Sequence, residues 1–175
     1  SDVLFFNSVS KILNQFDSTK YSDFTKSPNL LIVPMGGGTM KQWVNFKYLE
    51  TLQLPSFYLF DKDLDAQHQQ EVDALKYDQQ CLYASLTDKR EIENYIAPAA
   101  IERYFSELLN SDFSMPELNS ESKKSGVKQR QSYLKETLNS KVAAQMTADE
   151  FLSNDTTGFM TDFIAKITKE ISQKA

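Results

Sequence analysis

Three aspartates spaced two apart, Asp61, Asp63 and Asp65, follow directly on the apolar run Ser56-Phe57-Tyr58-Leu59-Phe60. An uninterrupted apolar run of this length is the pattern of a buried strand. In parallel α/β sheets, sites form beyond the carboxyl ends of the strands. In extended backbone Asp61 and Asp63 project the same way. Two close carboxylates repel unless a cation lies between them, and hard oxygen donors suit magnesium or manganese. The plain alternative is a solvated acidic turn, and a lone Asp-x-Asp divides evenly between the two. A calcium-binding EF-hand loop fails, because its sixth and twelfth positions are Ala66 and Val72 instead of Gly and Glu.

Two further segments bear on chemistry. Gly36-Gly37-Gly38 follows the apolar run Leu30-Leu31-Ile32-Val33. No Gly-Lys-Ser/Thr follows at the spacing of a phosphate-binding loop, and no GxGxxG pattern is present. Three glycines still allow close backbone approach to a ligand, or simply a tight turn. Arg90-Glu91-Ile92-Glu93-Asn94-Tyr95 follows a third strand candidate, Cys81-Leu82-Tyr83-Ala84. On a helix Glu91 and Glu93 stand about 200° apart, so one faces a site and the other solvent. His68 reads as a surface residue, while Cys81 and Trp43 read as core.

The elements that must position these residues can be read from spacing. Residues 2–16 suit an amphipathic helix, with Phe5, Val9, Ile12 and Phe16 on one face. Residues 30–33, 56–60 and 81–84 read as strands; 40–52, 66–76 and 90–109 read as helices, the last kinked at Pro98. This alternation implies parallel βα units and an α/β fold. Residues 110–130 are rich in Ser, Asn, Lys and Glu and read as a mobile loop. Thr147-Ala148-Asp149-Glu150 is a capping box, and a helix over 157–172 presents Phe159, Phe163, Ile167 and Ile171 on one face.

The 175-residue chain is long enough for a core, and 41% hydrophobic with 25% charged residues is ordinary for a globular protein. A net charge of -5 argues against holding nucleic acid by bulk electrostatics alone, so DNA contact would need a basic patch or metal ions. A single cysteine excludes an internal disulfide and a cysteine zinc site, and favours a cytoplasmic setting. No apolar run approaches a membrane span.

Taken in order, the motifs resemble the TOPRIM domain of OLD-family nucleases. Ser1-Asp2-Val3-Leu4-Phe5-Phe6 is similar to the tail of that family's Glu-Gly-x-x-Asp-apolar motif. Val33-Pro34-Met35-Gly36-Gly37-Gly38 resembles its second-strand glycine turn, and Leu59-Phe60-Asp61-Lys62-Asp63 its third-strand DxD. Glu91-Ile92-Glu93-Asn94-Tyr95 resembles its acidic segment, and Lys141-Val142-Ala143-Ala144 its late lysine segment. The motif's Glu and Gly would fall immediately before Ser1, and the first strand with them.

The resemblance implies a TOPRIM-like parallel sheet flanked by helices, with a C-terminal helical extension. Residues 1–109 would form the core, 110–130 the loop and 131–175 the extension. It implies two-metal phosphodiester cleavage, in which Asp2, Asp61, Asp63 and Glu91 or Glu93 bind two Mg2+ or Mn2+ ions about 4 Å apart. Asp61 and Lys141 would be the catalytic groups, with Lys141 neutralising phosphate charge. Lys123, Lys124, Lys128 and Arg130 would contact DNA, although a solvated linker explains the same charges. An ATPase domain and self-association into a homo-oligomer are the implied partners. Two other readings stand beside this one. The first is a non-catalytic TOPRIM-like structural or dimerisation module, which would tolerate loss of the aspartates. The second is a haloacid-dehalogenase-type phosphatase, which fits less well at Asp65 and would bind beryllium fluoride at Asp61.

Overall fold

The computed structural model describes residues 2–35, 53–62, 68–109 and 133–173. It is an α/β protein with a parallel strand pair. The chain divides into two compact units, one formed by Ser1–Leu30 with Tyr95–Ala175 and the other by Leu31–Asn94. The glycine turn at Gly36–Gly38, the helix expected over 40–52 with Trp43, and the loop over 110–130 lie outside the described residues.

The smaller unit holds the strand pair. β1 (Ser56–Phe60) and β2 (Cys81–Leu86) run parallel, from Ser56 opposite Cys81 to Phe60 opposite Leu86, with an irregularity between Ser56 and Phe57. Helix α2 (Gln69–Leu75) lies in the connection between them. Parallel neighbours require such a crossover, because a tight turn would reverse the chain. Tyr58 and Phe60 point to one face and are buried with Val72 and Leu75 of α2, while Cys81, Ala84 and Leu86 pack against that cluster half-buried. β2 extends two residues beyond the expected Ala84.

The expected strand at residues 30–33 does not form. This segment has no regular structure, and Leu31 is 83% and Val33 42% exposed. An apolar run becomes a strand only when a neighbour satisfies its amides. Among the described residues, the only ladder joins β1 and β2.

The larger unit is helical. α1 (Asp2–Phe16) buries Phe5, Phe6, Val9, Ser10 and Leu13, a stripe at intervals of three and four. Phe16, expected on that face, lies in the last turn of α1 and is 58% exposed. Phe5 meets Phe6 edge-on at 5.6 Å and Tyr95 at 6.4 Å, and Phe6 lies 6.0 Å from Phe163. A helix kinked at Pro98 was expected over 90–109. A 3-10 turn (Ile92–Tyr95) precedes α3 (Pro98–Leu109), which begins at the proline. Proline suits the first helical position, where its missing N–H has no intrahelical acceptor to lose.

Residues 133–137 are helical and run into a π turn (Leu138–Val142) and a 3-10 turn (Ala143–Gln145). The expected capping box opens α4 (Ala148–Asn154): Glu150 N–H donates to Thr147 Oγ1, and Thr147 N–H to Glu150 Oε2. α5 (Phe159–Ser172) buries Phe163, Ile164 and Ile167, close to the expected face. No helix among the described residues is long and apolar enough to cross a membrane.

Candidate functional site at the end of the strand pair

β1 and β2 are parallel, so both carry the chain out at the same end of the pair. Asp61 leaves β1 there, and β2 leads into the segment bearing Glu91 and Glu93. The residue that joins the two exits is Thr87, directly after β2 and 1% exposed. Its N–H donates to Phe60 O at 2.8 Å, continuing the ladder one step past the strand. Its hydroxyl accepts from Lys62 N–H at 2.9 Å and donates to Lys89 O at 2.5 Å. Asp61 is therefore bracketed, with the carbonyl before it and the amide after it both held by one side chain and its backbone. Asp61 is half-buried with Oδ1 shielded from solvent, while Lys62 is exposed.

Beyond Lys89 the backbone is knotted locally. Glu91 N–H donates to Asn94 Oδ1 at 3.0 Å, Asn94 N–H donates back to Glu91 O at 3.0 Å, and Lys89 Nζ donates to Asn94 O at 3.1 Å. Glu91 precedes the 3-10 turn and Glu93 lies within it, both half-buried. The helix-wheel angle expected to separate them therefore does not apply.

His68, expected at the surface, is instead tucked against the strand end. Its ring stands 5.4 Å from that of Phe60 at 32°. Its Nδ1 lies 3.9 Å from Glu71 Oε2, with side-chain exposures of 16% and 9%. The reason is topological: His68 opens α2, the element that packs back on Phe60. Cys81 is half-buried, and burial pushes its thiol pKa upward.

The remaining sequence-derived candidates divide between the units. Asp2 is exposed in the first turn of α1, and Lys141 is exposed on the π turn, both in the larger unit. π turns are rare and often accompany functional positions. Asp61, Glu91 and Glu93 belong to the smaller unit. Asp63, Asp65, Lys123, Lys124, Lys128 and Arg130 lie outside the described residues. Within the described residues no three His, Cys, Asp or Glu side chains converge on a common point suited to a metal. Thr87 escaped sequence reading, because a threonine after a strand carries no motif; reading β2 through to Leu86 would have placed it at the rim.

Chemically, the described candidate donors are the Asp61 carboxylate, one oxygen of which is shielded from solvent, and the half-buried Glu91 and Glu93. Such oxygen donors fit a hard divalent cation. Comparison of the chain with protein-family models, with curated proteins and with solved structures found no match.

Proposed function

We propose that the chain carries the nuclease module of an OLD-type, TOPRIM-like enzyme that cleaves DNA phosphodiester bonds with divalent metal ions. The observation supporting this reading is the bracketing of Asp61 at the carboxyl end of a parallel strand pair, with the Glu91 segment leaving at the same end. Asp61 and Asp63 would hold Mg2+ or Mn2+, with Glu91 or Glu93 as a further ligand. Bound divalent ions supply an activated water and neutralise charge on the phosphate. The chain's own part would be to bring carboxylates together so that cation binding relieves their repulsion. Lys123, Lys124, Lys128 and Arg130 would bind the DNA backbone. An ATPase domain and a second copy of the chain are the partners, in the cytoplasm.

The test is nicking of supercoiled plasmid with Mn2+ by the intact parent protein and its Asp61→Ala variant. Nicking by the parent that falls at least a hundredfold in the variant is the expected result. No nicking by the parent with any divalent metal, with or without ATP, would leave a non-catalytic module in its place.

A further inference from the structure

We propose that Thr87 is the positioning residue of this acidic site, fixing Asp61 relative to the Glu91 segment; the proposal rests on the metal-dependent reading above. A threonine hydroxyl has one proton to donate and lone pairs to accept with. Thr87 uses both kinds of capacity across the strand exits, taking the Lys62 amide and giving its proton to Lys89 O. With its own amide on Phe60 O, it fixes the peptide groups on both sides of Asp61.

Peptide planes at both ends of a residue set where its Cβ points, so Thr87 fixes the Cα–Cβ direction from which the Asp61 carboxylate reaches. Lys89 O is also the start of the 89–94 segment that the Glu91–Asn94 pair closes on itself. One buried hydroxyl thus joins both carboxylate-bearing exits. Groups that orient metal ligands without touching the ion typically change metal affinity 10–100-fold when removed.

A purely structural threonine would lose stability on substitution and leave cation affinity in the folded protein unchanged. The test separates these by measuring Mn2+ affinity by calorimetry, with thermal melts alongside, on full-length wild type, Thr87→Val, Thr87→Ser and Asp61→Asn. Valine keeps the shape and deletes the hydroxyl; serine keeps the hydroxyl. The expected result is Mn2+ affinity reduced about tenfold or more in Thr87→Val, with affinity restored to within a few-fold of wild type in Thr87→Ser. Wild-type affinity in folded Thr87→Val, alongside its loss in Asp61→Asn, would overturn the role of Thr87 and leave the site standing. Equal loss in the serine and valine variants would overturn it too. Absent Mn2+ binding in wild type, or undiminished binding in Asp61→Asn, would instead remove the site and this proposal with it. Should Thr87→Val not fold, Thr87→Ala, which also deletes the hydroxyl, is judged by the same criterion.

Discussion

Glu150 receives hydrogen bonds from both terminal nitrogens of Arg103, at 2.6 and 3.0 Å, and one from the Thr147 amide. The Arg103 bond chiefly, opposed by burial and helped by Thr147, holds its carboxyl at about 2 against an ordinary 4.5. A folded-state value below the unfolded one stabilises the protein above pH 4.5, and that contribution is lost as the pH falls toward 2. Allowing for screening at the partly exposed Arg103, it amounts to about 1–2 kcal/mol at neutral pH. Glu150→Gln should therefore melt below wild type at pH 7, and the gap should close by about pH 2 in thermal melts. A gap independent of pH would mean that the ionised carboxylate contributes nothing. The capping box was legible from four adjacent residues, whereas its guanidinium partner, 47 positions away, was not. Neither was Thr87, whose partners are fixed by the approach of two strands.

At the scale of elements, α5 starts from an unusual backbone. Gly158 precedes it at φ 72, with nothing within 4 Å of where a Cβ would stand. The cost of a side chain there is conformational instead of steric. Gly158→Ala should lower stability by about 1–2 kcal/mol, read as a shifted urea midpoint with unchanged slope. An unchanged midpoint would show that the turn relaxes without penalty. Asp155 holds the same junction, accepting from the amides of Met160 and Thr161 and from the Thr161 hydroxyl. Elements with strong local periodicity, α1, β1 and α5, were readable from spacing. The run at residues 30–33 misled, because apolar content signals burial while a strand needs a partner that composition does not name. Pro98 misled in a related way: it was read as a kink inside a helix when it marks the helix start. The exit of Asp61 from the end of β1 was legible from the spacing, but the Thr87 contacts that hold its backbone were not.

For the molecule as a whole, the division into two units predicts how damage spreads. Phe60 is 2% exposed in the cluster shared by β1 and α2, and the larger unit's core around Phe5 and Phe151 contains none of those side chains. Phe60→Ala removes a buried aromatic ring, a change that costs about 3–5 kcal/mol. Hydrogen exchange should then quicken across residues 56–86 while the amides of α1 and α5 keep their protection. Uniform quickening would mean that the units unfold together. The acidic net charge of -5 sets a related condition on DNA binding, which would have to come from local groups or cations. The hydroxyl bridge from Thr87 to the Lys62 amide spans 25 residues of chain. Contacts that close so long a segment form only after its loop-closure entropy has been overcome. The backbone on either side of Asp61 therefore acquires its shape late in folding, once the crossover has brought β2 beside β1. A newly made chain would hold the backbone at Asp61 loosely until that crossover is complete, so the order of this strand exit reports completed folding and does not guide it.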